Sequence, residues 1–312
     1  MPKSDYKKKT LSLIVTVFNE AETIENFLTS CLKQTLAFDE LIIVDAKSTD
    51  ATVKIIKNFA KKHAVAMRLF IREGNRSVGR NFAVEKSRGQ WLAISDAGCV
   101  LDKNWLKALS AEQNKTRALV VAGYYQGLAA SAFEEASIPY FLVMPDRIQQ
   151  SQFLPATRSM LIEKSLWEKL GGLNEKLDYN EDYQFAWRLK NLDIKIAFSE
   201  EARVYWLPPR NILEFCQKIF NFARGDAFAG LIRKKVYLIF LRYLIFFGIL
   251  IFFPNFYLIF SLMGIYLLWA IIKNMKYCPR SFFYLPLLQL LADGAVMLGS
   301  SIGLIQAIFN KA

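Results

Sequence analysis

The stretch "AISDAGCV" (residues 93–100) is a short apolar run that stops on an acid and a glycine, which leaves Asp96 at the open end of a predicted strand. Two other apolar runs deliver acids in the same way. "VFNE" sets Asn19 and Glu20 after the first run, and "VDAKSTD" sets Asp45 at the tip of the second. A further group, Asp178, Glu181 and Asp182, lies in "LDYNEDYQFAWRL" (177–189), around the start of a predicted helix. Carboxylates are the groups that take a proton as general bases and bind hard cations through oxygen. Each also has a structural reading by itself: Glu20 in a first helical turn, Asp50 as a cap, Asp96 as a turn former, Glu181 and Asp182 as favourable charge at a helix N-terminus. Three strands each placing an acid on one rim are harder to dismiss as turns. Asp178, Glu181 and Asp182 together exceed what one cap needs.

Positioning these acids falls to an alternating pattern. Apolar strand-like runs at 11–18, 40–46, 66–73 and 89–97 alternate with amphipathic stretches at 20–34, 48–63 and 76–87. Such alternation predicts a parallel, doubly wound α/β sheet, in which ligands bind outside the carboxyl ends of the strands. Farther on, Gly171 and Gly172 close a helix around "SLWEKL", and Glu181 opens the next one.

Charge is spread unevenly along the 312 residues. The chain carries a net charge of +12, yet after Lys235 only Arg242, Lys273, Lys276, Arg280, Asp293 and Lys311 are charged. Three apolar spans follow, at about 236–253, 255–272 and 283–309, each near the roughly 20 residues that a bilayer crossing requires. Pro254 joins the first two in a tight hairpin, read either as two full crossings or as a re-entrant pair. "RKK" (233–235) and the cations between the second and third spans place the first 235 residues and the 273–282 loop on the cytoplasmic side, while Lys311 argues mildly the other way. The expected organisation is a basic tail (1–10), a cytosolic α/β domain (11–207), an amphipathic interface segment (208–235) and a membrane domain (236–312). Within the spans, Arg242 and Asp293 are expected to pair or snorkel, with a lipid-phosphate role open to Arg242 alone.

Other features exclude function classes. No apolar h-region precedes Leu11, so no signal peptide is expected. Cys31, Cys99, Cys216 and Cys278 form no C-x-x-C pair and read as reduced thiols. His63 is the only histidine, which argues against a histidine triad or a zinc centre. The basic charge suits anionic lipid, and no interleaving of aromatic and basic residues points to nucleic acid.

"VFNEAETI", "IIVDAKSTDAT", "VGRNFAVEKSRGQWLAISDAG", "EKLGGLNE" and "NEDYQFAWRL" occur in an order and spacing that resemble family 2 glycosyltransferases, over roughly residues 10–205. The resemblance implies a GT-A fold followed here by transmembrane helices. It further implies a nucleotide-sugar donor and an inverting transfer. Asp45 then matches the nucleobase contact, although Ala46 stands where many relatives have a second acid. Glu20 matches a ribose or base contact, and Arg80 a group that meets the diphosphate or fixes Asp96. Asp96 matches the first acid of the D-x-D motif that holds Mg2+ or Mn2+, while "DAG" has lost the second acid and Gly98 lets a phosphate or sugar approach. Asp182, with Glu181 beside it, matches the general base. The processive Q-x-x-R-W motif is missing; "FARGD" offers Arg224 as a diphosphate contact or as a snorkelling interface residue. The expected activity is transfer of a sugar to an acceptor hydroxyl or lipid, a membrane-proximal or lipid-linked glycan, at the cytoplasmic membrane face. A polyprenyl-phosphate glycosyltransferase with a phosphate acceptor and a non-catalytic GT-A scaffold are the alternatives.

Overall fold

The computed structural model describes residues 10–63 and 67–309. The basic tail up to residue 9, the start of the third predicted strand at Ala66 and Lys311 therefore lie outside the described residues. Among the described residues eight strands form one sheet: β1 Leu11–Val17, β2 Glu40–Asp45, β3 Met67–Ile71, β4 Trp91–Ser95, β5 Cys99–Leu101, β6 Val120–Gly127, β7 Ser159–Glu163 and β8 Ile196–Trp206. The helices are α1 Ile24–Leu32, α2 Thr52–His63, α3 Arg76–Lys86, α4 Trp105–Thr116, α5 Ala132–Phe141, α6 Lys164–Lys169, α7 Glu181–Asn191, α8 Ile212–Phe228, α9 Lys234–Phe252, α10 Phe256–Asn274 and α11 Leu285–Phe309.

Strand order is β3-β2-β1-β4-β7-β6-β8-β5. The first four strands are parallel, with Val17 opposite Asp45 and Ile14 opposite Ile94. β2 and β4 are buried throughout, which is why they read as unbroken apolar runs without alternation. The wholly parallel sheet expected from the sequence is corrected beyond β4. β7 runs antiparallel to β4, β6 antiparallel to β7, and β5 antiparallel to β8. β7 thus returns against the direction of the first four strands, and β6, antiparallel to β7, runs with them again. The core of this sheet joins Ile14, Ile42, Leu92, Ile94 and Ile162 to Trp167, Phe185 and Leu189 of the covering helices. Ser95 pairs with Ser159 at the open end of β4, so residue 158 arrives beside residue 96.

The chain divides into two compact units, one of residues 1–126 and 148–206, the other of 127–147 and 207–312. Residues 127–147, which the sequence reading kept within the sheet domain, thus cluster with the C-terminal helices. In this second unit α8 lies along α11. A Cβ at Gly299 or Gly303 would collide with the backbone of Phe220 or Arg224, so small residues set the approach of the two helices. Phe215 and Ile219 are buried in the cluster that includes Leu288 and Ala292, and Ile212 stays exposed. The apolar side of α8 is largely spent on α11 and α5.

Three helical segments, Lys234–Phe252, Phe256–Tyr277 and Phe282–Phe309, are long and apolar enough to cross a membrane. α9 and α10 have 19 residues each, about 28 Å of helix against a hydrocarbon core of about 30 Å. Asp293, 1% exposed, accepts from Arg242 Nη2 at 2.5 Å, from the hydroxyls of Tyr243 and Tyr266, and from Gln289. Of the two expected fates for this pair, direct pairing is the one observed. It joins α9, α10 and α11 through one carboxylate.

Candidate active site

Arg80 lies on the inner side of α3 and is 2% exposed. Its Nη2 donates to Asp96 Oδ1 at 2.7 Å, and its Nη1 donates to Glu181 Oε1 at 2.5 Å. One guanidinium thus ties the open end of β4 to the first residue of α7. Burial alone would raise the pKa of Asp96. Arg80 first, then Arg158 and Arg76, more than reverse this and hold its carboxyl below the ordinary carboxylate range. At Glu181 burial prevails and pushes the carboxyl up; Arg80 opposes the rise and the charge of Asp182 adds to it. Asp182 is less buried than Glu181 and accepts from its neighbouring Tyr183 N–H. Its charge is felt by both Arg80 and Arg158, which places it on the same cluster.

The start of α7 is held by a clamp of side-chain amides. Asn75 caps α3 by accepting from Val78 N–H, and its Nδ2 donates to the carbonyl of Glu175 and to Asp178. Asn81 donates to the Leu173 carbonyl at 2.9 Å and accepts from the Leu173 N–H at 2.9 Å. Arg188 of α7 donates to the carbonyls of Leu170 and Gly172. Gly172 has φ +69°, and a Cβ there would press on Asn81 and on Trp167 Nε1. The glycine is therefore required by backbone and by space. Asp178 is accounted for by this clamp, whereas Glu181 and Asp182 extend beyond it.

The other rim acids divide. Glu20 accepts from the Thr23 hydroxyl, and its Oε2 lies 4.0 Å from where a Cβ on Gly98 would stand. Among the described residues beyond its chain neighbours no other atom comes within 4 Å of that position, so the backbone at Gly98 has room for a group the size of a methyl. The Cys99 thiol feels both Asp96 and Glu20, which sets Glu20 on the Asp96 side of the rim. Asp45 is fully buried, and its carboxylate accepts from Ser48 N–H at 2.8 Å and Ser48 Oγ at 2.5 Å. Asp50 accepts from Thr52, and its hydrogen bond from the Thr52 hydroxyl is the main cause of its lowered pKa. Asn19, Ala21 and Glu20 are bonded through Ser48, Thr49, Asp50 and Thr52, so the loops after β1 and β2 form one frame.

Arg80, Asp96, Glu181 and Asp182 are therefore brought together, with Glu20 and Gly98 beside them. Asp45 occupies the same rim, one strand removed, turned into its own loop. Arg224 belongs to the second unit, where its guanidinium stands over Phe220. Buried Asp226, unassigned by sequence, pairs with Arg233 at 2.8 Å. The four cysteines are free thiols, and burial pushes Cys31 and Cys99 far up.

Arg158 was missed by sequence reasoning. Its Nε lies 3.7 Å from Asp96 Oδ2, and its guanidinium stands 5.1 Å from the ring centres of both Tyr125 and Trp206. No local motif marks it, because its place depends on the antiparallel register of β7 on β4. Among the described residues no three His, Cys, Asp or Glu side chains converge as a cation cage. Asp96 alone fits a cation that takes its remaining ligands from phosphate oxygens and water, as magnesium and manganese do.

Known proteins are similar to this chain in sequence and in fold. The glycosyl transferase family 2 model matches residues 12–168, half of the chain. Glycosyltransferase AglE of Haloferax volcanii is 24% identical over 225 residues, covering 69% of this chain and 72% of AglE. Among solved structures, the mannosyltransferase PcManGT of Pyrobaculum calidifontis, in complex with GDP-Man and Mn2+, superposes with a TM-score of 0.62 at 16% identity, covering 97% of this chain and 88% of that one. TarS of S. aureus (residues 1–349, with UDP) gives a TM-score of 0.52 at 17% identity over 96% of this chain and 92% of that one. The mixed sheet is the GT-A fold, and its strand-end acids fall within the matched region. The chain belongs to the family 2 glycosyltransferases.

Proposed function

We propose that this enzyme transfers a sugar, with inversion, from a nucleoside-diphosphate donor to an acceptor hydroxyl on a glycan or lipid at the cytoplasmic face of a membrane. The observation that carries this reading is the Arg80 fork, which joins Asp96 to Glu181 and so sets Asp182 at the same place. Glu181 is spent on Arg80 and Asp182 is the less buried of the two acids, which supports Asp182 as the general base. The acceptor oxygen attacks the anomeric carbon, and Asp182 takes its proton. The bond from that carbon to the phosphate oxygen breaks, and its electron pair leaves with the nucleoside diphosphate. One displacement of this kind inverts the centre. The GDP-Man bound by PcManGT and the UDP-GlcNAc bound by TarS support a nucleotide sugar here.

Glu20 is the proposed ribose contact, Asp45 is the proposed base contact once its carboxylate exchanges Ser48 for the base, and the room at Gly98 suits a phosphate or sugar close to the backbone. Mn2+ beside GDP-Man in PcManGT supports a divalent cation, which Asp96 would hold. When bound, it neutralises charge on the departing diphosphate. The apolar helices support integration in the cell membrane, with the sheet unit on the cytoplasmic side as the "RKK" sequence indicates.

The test is transfer of radiolabel from a panel of nucleotide sugars into membrane extract. Label should enter an organic-extractable or glycan fraction with the parent protein and fail to do so with Asp96→Asn. Equal transfer by that variant would contradict the reading. A phosphate acceptor is already ionised at neutral pH and needs no base, so normal transfer by Asp182→Asn would favour the polyprenyl-phosphate alternative.

A further inference from the structure

We propose that Arg158 is a diphosphate-binding residue of the donor site, supplying in cis the positive charge that a second strand-end acid would otherwise recruit as a cation. This rests on the donor-site reading above. Ser159 pairs with Ser95, so Arg158 is delivered to the end of β4 by sheet register, and Ser95 Oγ fixes the Arg158 carbonyl at 2.8 Å. Tyr125 and Trp206 both lie within cation–π range of the guanidinium, which restrains the group and leaves its N–H edge as the surface that can bind. That edge has an unfilled demand. Arg158 Nε is buried and has no hydrogen-bond acceptor, and Asp96 Oδ2 at 3.7 Å is too distant to serve. A buried charged donor without an acceptor is costly, so the pocket is short of one anionic oxygen.

The chemistry of the missing acceptor follows from its surroundings. Arg80 already occupies Asp96 Oδ1, and among the described residues beyond its chain neighbours a Cβ on Gly98 would meet only Glu20 Oε2, at 4.0 Å. A planar guanidinium favours phosphate or carboxylate oxygens, and phosphate in two-point contact above all. Charge accounting agrees. Compared with a pocket that has a second acid and no arginine, this one is more positive by two charges, which is what a divalent cation brings. Arg158 therefore lets the site hold a diphosphate with little dependence on metal. A purely structural counter-ion for Asp96 would have no such effect.

Calorimetry on the full chain in detergent tests this, with UDP, GDP, uridine and guanosine titrated in EDTA and in MnCl2. The parent should bind one of the diphosphates in EDTA within about fivefold of its affinity in MnCl2. Arg158→Gln should lose about tenfold or more in EDTA, the size expected for one charged hydrogen bond, and bind the matching nucleoside as the parent does. Arg158→Lys, which keeps the charge without the fork, should fall between them and serves if the glutamine variant does not fold. Unchanged diphosphate affinity in either folded variant would overturn the role of Arg158, as would a parent that binds only with manganese. A parent that binds neither diphosphate in either buffer would overturn the donor-site reading itself, and this proposal with it.

Discussion

Arg80 spends both terminal nitrogens on carboxylates, Asp96 and Glu181, that stand 85 residues apart in the chain. Truncating it leaves two acids facing each other with no cation between them. Arg80→Met should therefore cost about 2–4 kcal/mol, below the full penalty for a broken buried pair because the Asp96 side chain is 30% exposed. Denaturant titration of the detergent-solubilised protein measures this, and a loss under about 0.5 kcal/mol, typical of a surface position, would contradict it. Asp96 also makes a pH prediction. Its native pKa lies below its unfolded one, so its stabilisation is present above about pH 4 and is lost as pH falls through the depressed value. Melting temperatures between pH 6 and pH 3 should fall more steeply for the parent than for Asp96→Asn; parallel curves would refute the shift. At this scale the sequence named Asp96 by its place at a strand end and Glu181 and Asp182 by theirs at a helix start, and the family resemblance added Arg80. It left open whether Arg80 meets a diphosphate or fixes Asp96, and the described contacts include its hydrogen bond to Asp96. It was silent on Arg158, since no local pattern encodes a pairing across 63 residues.

Elements position these groups through two devices, the α3 clamp on the loop before α7 and the register of β7. Gly172→Ala tests the first. The left-handed backbone disfavours a Cβ by roughly 1–2 kcal/mol, and Asn81 would have to move as well. The variant should lower the melting temperature, and Asn81→Ala in the same background should recover part of the loss. No recovery would mean that the backbone term acts alone. In the helical unit the Asp293 carboxylate is the joint. Asp293→Leu strands Arg242, so it should destabilise the unit by about 3–5 kcal/mol, with the Arg242→Leu/Asp293→Leu double variant restoring much of that. Equal melting of single and double variants would contradict this. The parallel strands were legible as unbroken apolar runs because helices cover both faces. β5 has three residues, and β7, β6, β8 and β5 lie in the sheet in an order that departs from their order along the chain, so their pairing could not be read from local pattern.

For the molecule as a whole, amino-acid distribution separates a charged α/β unit from an apolar helical one, and that division was visible in the sequence. The inclusion of residues 127–147 in the helical unit was not, because α5 has neither the length nor the hydropathy of a span and is defined by what covers it. Helices α9 and α10 bury few of their apolar residues within the protein, so the protein should stay in the membrane pellet through alkaline carbonate and require detergent for release. Release by carbonate alone would contradict integration. The central claim is that Asp182 takes a proton from an acceptor hydroxyl at a site built on Asp96 and Arg80. Its most direct test is the steady-state rate of label transfer by Asp182→Asn alongside its affinity for the nucleoside diphosphate. A kcat about 10²–10⁴-fold below the parent, with diphosphate affinity unchanged, is the predicted result. A kcat within threefold of the parent, about 0.65 kcal/mol in the barrier, would contradict the account.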